Sequence, residues 1–155
     1  MGRSAQGTVQ MSDYATSFMV KATPAKVFAA INDARGWWTG DIEGETDRLG
    51  GEFSYRNRDL HFSRQRVAEL AEDRRIVWRV TDAKLSFVEE QKGWIGADIV
   101  FEIAPKGEET ELRFTHFGLT PQCECYKACS GGWAYFIDGS LRSLIETGKG
   151  AGPLG

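Results

Sequence analysis

Cysteine, charge of one sign and long apolar runs are all scarce in this chain of 155 residues. Each shortage excludes something. The three cysteines, Cys123, Cys125 and Cys129, are an odd number crowded into one short stretch, which is no disulfide framework. A reduced, cytoplasmic protein is expected. The opening MGRSAQGTVQM holds no apolar run, so neither a secretory signal, a membrane span nor stable membrane association is expected. Gln6 stands where N-myristoylation needs Ser or Thr. The net charge is −3 and no Lys/Arg block stands out, which argues against nucleic acid as a partner. Serine-hydrolase, zinc-protease, phosphate-loop and dinucleotide motifs are all missing, so no cofactor, no metal and no reaction is indicated. Paired acids such as Glu89-Glu90 and Glu108-Glu109 fall in turns and read as solvated loops.

Aromatic residues are plentiful by contrast: five Trp, four Tyr and nine Phe. A chain of this length makes one domain, which buries roughly 68–70% of its unfolded surface and needs no staples. That domain is expected over residues 13–150, with loose tails at 1–12 and 151–155. Tyr14–Ala22 alternates, placing Tyr14, Thr16, Phe18 and Val20 on one face of a first strand. Thr23-Pro24 caps a helix whose apolar face is Val27, Phe28 and Ile31. Asn32–Gly40, with Trp37-Trp38, reads as a turn or second small helix. Strand signals follow: a weak one at Ile42–Thr46, then Gly51–Asn57 with Phe53 and Tyr55 on one face. Leu60–Leu70 and Arg75–Thr81 form a hairpin around Glu72-Asp73. Ile95–Ala104 and Thr110–Leu119 form another around Lys106-Gly107. Ala83–Gly93 is ambiguous between a short strand at Leu85-Ser86-Phe87 and turn. On Leu60–Leu70, Val67 inward brings Gln65, Ser63 and His61 with it; Phe62 inward brings Arg64 and Arg66. The first is preferred, because two arginines cost more to bury, and a bulge would reconcile the two patterns.

The last third reads as one long helix, Gln122–Thr147. Thr120 is its expected N-cap and Pro121 its first residue. Tyr126, Cys129, Trp133, Ile137, Leu141 and Leu144 give one apolar stripe, and Gly148 a left-handed stop. At about 1.5 Å per residue it spans roughly 40 Å, enough to cross a small domain. Gly131, Gly132 and Gly139 are anomalous inside it. They predict either close approach to the sheet or a bend at Gly131-Gly132. The whole predicts an α+β protein, a curved antiparallel sheet wrapped on a long C-terminal helix with two short helices after the first strand.

This order, with TPAKVFAAI in the first helix, FTHFGL on the last strand and ECYKACSGGW…SLRSLIETGKG in the last helix, resembles the START-like (SRPBCC) superfamily. Within it the chain is similar to bacterial proteins related to the C-terminal domain of activators of the heat-shock-protein-90 ATPase. The resemblance covers nearly the whole chain. It implies the helix-grip fold, with a hydrophobic cavity between sheet and helix. Members bind lipids, hormones or polyketides, and some are enzymes. The implied partners are therefore a small hydrophobic molecule or a chaperone, for a monomer or homodimer.

Alternation points Phe53, Tyr55, Trp78, Phe101, Phe114 and His116 to one interior, faced by Cys129, Trp133, Ile137 and Ser140 on the helix. With Trp38 these are the expected ligand-binding residues, in a pocket open near Trp37-Trp38 with His116, Tyr55 and Ser140 as polar anchors. His116 serves either as a structural imidazole or in ligand contact or proton transfer, with Tyr55 or His61 as partner in a cyclase- or hydrolase-type enzyme. The cysteines read as buried small hydrophobes, with metal or redox chemistry as the alternative. Three functions follow: binding of a small lipid- or polyketide-like ligand, chaperone co-activation through the surface, and catalysis by an inward histidine.

Overall fold

A computed structural model describes residues 13–152. The expected tail at 1–12 lies outside the described residues, as do 153–155. Ala151 and Gly152, expected to fray, are held instead: Ala151 N donates to Ser140 Oγ at 3.0 Å and Tyr135 OH donates to Gly152 O at 2.7 Å.

The described residues form one sheet of seven strands, β1 (Tyr14–Val20), β2 (Asp41–Gly44), β3 (Glu52–Asn57), β4 (His61–Ala71), β5 (Arg75–Leu85), β6 (Asp98–Lys106) and β7 (Glu109–His116). Their order is β1-β7-β6-β5-β4-β3-β2, with every neighbouring pair antiparallel. Tight turns close two hairpins of the meander: Asp73 (φ 61°) lies between β4 and β5 and Gly107 (φ 66°) between β6 and β7. The β2–β3 contact admits no side chain at Gly44, whose φ is 112° and whose added Cβ would collide with Glu52 O.

Between β1 and β2 lie helix α1 (Pro24–Asn32) and a short 3₁₀ turn, Ala34–Gly36. Thr23 caps α1, its hydroxyl accepting from Lys26 N at 3.1 Å, and Val27 and Ile31 are buried. The 3₁₀ turn delivers Trp37 and Trp38 into the interior, both almost completely buried, and Trp37 Nε1 donates to Ile31 O at 3.2 Å.

On β4, Ser63, Gln65 and Val67 are buried while Arg64 and Arg66 face water, with register shifts at Arg64/Gln65 and Val67/Glu69. Phe62 stays on the outer face, covered by the Arg56 guanidinium 4.8 Å from its ring centre. β5 continues past Thr81 to Leu85, so the strand possibility at Leu85-Ser86-Phe87 survives only at its first residue. β6 starts at Asp98 rather than Ile95, because Gly96 N donates to Val80 O and Val80 N to Ala97 O, folding the 86–97 loop back on β5.

The C-terminal helix starts at Tyr126, not Gln122. Residues 120–125 form turns instead. Cys123 N donates to Thr120 O and Cys123 Sγ to Gly118 O, while the Glu124 carboxylate accepts from Glu89 N and Glu90 N. The side chains of this stretch thus serve neighbouring loops, and Thr120 caps nothing. The helix is continuous in three segments, α2 (Tyr126–Trp133), Ala134–Leu141 with π-type bonding, and α3 (Arg142–Thr147). Arg142 N still donates to Ile137 O, five residues back. Gly148 (φ 85°) ends it in the left-handed region, its N–H returning to Leu144 O at 2.9 Å. A Cβ at Gly131, Gly132 or Gly139 would meet no neighbour within 4 Å. Close approach to the sheet therefore does not explain them; the hydrogen-bond ladder widens just after Gly131-Gly132.

Candidate functional site

The interior is filled at its centre and open at one end. Trp37 and Trp38, carried in by the turn after α1, are the filling. The Trp37 ring stacks on Trp78 at 6.1 Å and meets Phe101 edge-on, and Phe53 packs edge-on to Trp78 at 5.0 Å. Trp38 stacks on Tyr55 at 3.9 Å and lies 5.1 Å from Trp133. The gap expected between sheet and helix is thus occupied by tryptophans, and Phe53, Trp78, Phe101, Phe114 and Ile137 are core residues that border neither of the two chambers at the open end. Ser140 borders neither of them. Its hydroxyl donates to Trp37 O at 2.7 Å and accepts from Ala151 N, fastening the helix to the turn.

Two chambers remain where the helix start, the β3–β4 turn and the 86–97 loop converge. The first, about 110 Å³, is bordered by Trp38, Tyr55, His61, Phe87, Cys129 and Trp133, with Gly132 opening onto it. The second, about 260 Å³, lies between Leu85, Ala97, His116, Leu119 and Cys125, with Glu90 and Glu124 at its rim. Trp94 is the wall they share. Of the expected lining residues, Trp38, Tyr55, Cys129 and Trp133 border the first chamber and His116 the second. Asn57, Phe87, Trp94, Ala128, Gly132 and Phe136 were missed there. Trp94 and Phe87 sit on a loop, where no strand or helix period assigns a face.

Trp94 is stacked on Trp133 at 5.8 Å and flanked edge-on by two imidazoles, His61 and His116, each 4.7 Å away. It is only 5% exposed, yet its Nε1 has no hydrogen-bond partner among the described residues. An orphaned buried donor is costly, and its position between two voids makes it a candidate contact for something that enters.

The tautomer of His116 is fixed by its neighbour. Trp133 Nε1 donates to His116 Nδ1 at 3.0 Å, so Nδ1 is the unprotonated nitrogen and the proton sits on Nε2. No group among the described residues accepts from that Nε2–H. Burial pushes His116 down to about 3, with neighbouring His61 adding to it, and burial pushes His61 down to about 4. Both are neutral near pH 7. A base this weak abstracts protons poorly, and the nitrogen that would do so is already engaged. Tyr55 donates to Thr39 O at 2.7 Å and is raised to about 12 by burial. His116 also faces a different chamber from Tyr55 and His61. The arrangement suits hydrogen-bond donation to a ligand oxygen, not proton transfer.

Cys123, Cys125 and Cys129 are free thiols, and no group of three or more His, Cys, Asp or Glu among the described residues is arranged to hold a metal. No helix among the described residues is long and apolar enough to cross a membrane.

An antiparallel sheet wrapped on a C-terminal helix, with an apolar void at one end of the grip, defines a START-like (SRPBCC) protein of α+β class. More narrowly, the chain belongs to the family described as Activator of Hsp90 ATPase homolog 1-like protein, whose model matches residues 21–146. It is similar to the Aha1 dimer from Colwellia psychrerythraea, solved in solution, at 26% identity and TM-score 0.72 over 90% of this chain and 100% of that one. DynU16, from the dynemicin biosynthetic locus, shares the fold at 17% identity and TM-score 0.68, over 91% of this chain and 49% of that one. CalU16 from Micromonospora echinospora does so at 16% identity and TM-score 0.60, over 84% and 73%. A search of the curated proteins finds no match.

Proposed function

We propose that the protein binds a small, neutral, hydrophobic molecule carrying an acceptor oxygen, in the chambers beside Trp94. The carrying observation is the pair of unpaired N–H donors, His116 Nε2–H and Trp94 Nε1–H, on buried rings that border apolar voids. The void of about 260 Å³ lies just under the roughly 300–1,000 Å³ usual for small-molecule sites. Carboxylates at its rim, Glu90 and Glu124, disfavour anions. Free thiols fit a reducing, cytoplasmic setting.

The test is titration with N-phenyl-1-naphthylamine, a neutral apolar fluorophore. Saturable enhancement is expected. Gly132→Phe, whose Cβ would meet no neighbour within 4 Å and whose ring is aimed to fill the first chamber, and Ala97→Phe, aimed to fill the second, separate the two sites; the occupied one should lose about tenfold or more in affinity. No enhancement with the unaltered protein would sink the reading.

A second reading, chaperone co-activation through the surface, draws on the family description and on exposed apolar side chains at the chamber end. Leu60, Phe87 and Ile95 are 49%, 41% and 43% exposed. Recovery of an ATP-dependent chaperone with the tagged protein, lost in Phe87→Asp, would favour it.

A further inference from the structure

The second chamber holds a nucleophile that ligand binding alone does not use. Cys125 stands in its wall at the helix start and is 7% exposed. Cys129 N donates to Cys125 O at 2.8 Å, so the two thiols lie one turn apart on one helix face. The neighbouring Cys129 thiol is the main influence that draws Cys125 down to about 7. Burial opposes this, the Trp94 N–H assists it, and Glu124 opposes it weakly; the Cys129 thiol is pushed up in turn. The Trp94 ring borders the same chamber as Cys125, and its Nε1–H is unpaired. Cys123 differs, since its sulfur is tied down, donating to Gly118 O at 3.2 Å and accepting from Thr120 N at 3.5 Å. His116 lines the same chamber as Cys125, and its Nε2 is the nitrogen left free by the bond from Trp133.

We propose that this chamber is a covalent capture site for small neutral electrophiles of the α,β-unsaturated carbonyl class, with Cys125 as nucleophile and His116 as donor to the carbonyl oxygen. It rests on the reading that the chamber binds small apolar molecules. Cys125 loses its proton to water, and the thiolate attacks the β-carbon. The new C–S bond forms as the C=C pair shifts towards oxygen, giving an enolate held by the His116 Nε2–H. The α-carbon then takes a proton from water. The net change is addition of S–H across C=C; nothing is oxidised or reduced. A neutral histidine suits this role, because it donates to the developing charge without needing to titrate. Leu85, Ala97, Leu119 and Trp94 supply apolar walls for the body of the ligand, and the acidic rim selects against charged electrophiles.

The test compares benzylideneacetone, an enone, with benzylacetone, its saturated counterpart, on the full chain. Intact mass should rise by one enone per chain, peptide mapping should place it on Cys125, and the rate should saturate with enone concentration. Benzylacetone should protect. Cys125→Ser should abolish the adduct, and His116→Phe should slow the saturated rate at least about tenfold, as loss of an oxyanion donor does. A measurement on the unaltered protein guards against misfolding of that variant. Relative to glutathione, Cys125 should favour the enone over iodoacetamide, which has no carbonyl for His116 to activate in this way, by at least about tenfold. Benzylacetone binding without any enone adduct overturns the capture proposal and leaves the binding reading standing. Failure of both ketones to bind overturns both. An adduct spread over Cys123 and Cys125, with no saturation, is ordinary thiol reactivity and also overturns capture.

Discussion

His116 shows how little a residue's type says without its neighbours. Strand alternation brings it inside, but only Trp133, a helix residue, decides which nitrogen carries the proton. The consequence is measurable. An unfolded imidazole titrates near 6.5, whereas His61 and His116 are held at about 4 and about 3 in the folded chain. Between those values the unfolded chain binds protons that the folded chain refuses, so stability is fully present above about 6.5 and falls as the pH drops. Urea titrations at about pH 7 and about pH 5 should differ by about 2–4 kcal/mol for the two groups together. Equal stability at the two pH values would mean the imidazoles are solvated, and the chamber walls with them.

Among the elements, the C-terminal helix was legible in outline and not in detail. Its stripe at Cys129, Trp133, Ile137 and Leu141 is buried as the periodicity requires, and Gly148 stops it. Its start moved because Thr120 and Glu124 had more favourable partners in the loops, and loop partners carry no period. Ser140 sits within that stripe, but its role depends on Trp37, 103 residues away. Ser140→Ala should therefore cost about 1–3 kcal/mol, leaving buried Trp37 O short of a donor. Ser130→Ala, whose hydroxyl makes only an exposed bond to Lys127 O at 3.4 Å, should stay within about 0.5 kcal/mol. Equal thermal shifts in the two variants would remove Ser140 as the fastening. On β4, by contrast, the cost of burying two arginines was enough to choose the face correctly, since desolvation of charge is strong enough to set a strand's register by itself.

At the scale of the molecule, one aromatic cluster joins sheet, turn, loop and helix. Trp38 packs against Tyr55, Trp78 and Trp133, and Trp133 against Trp94 and Phe114. With indoles stacked this closely, near-ultraviolet circular dichroism should be intense, and should vanish in denaturant together with the far-ultraviolet signal in one transition. Separate midpoints would mean that the chamber end unfolds apart from the sheet. The sequence by itself determined the strands, the first helix with its cap, the stop of the last helix and the inward faces, because period, capping and turn chemistry act over a few residues; the resemblance of its motifs pointed to the family. The location of the void was decided only in three dimensions. Trp37 and Trp38 gave no periodic signal of their direction, and their entry filled the space that strand alternation alone leaves open. Trp94, on an irregular loop, then closed one side of what remained. Which residues line a cavity depends on where volume is left unfilled, and that is a property of the packed whole.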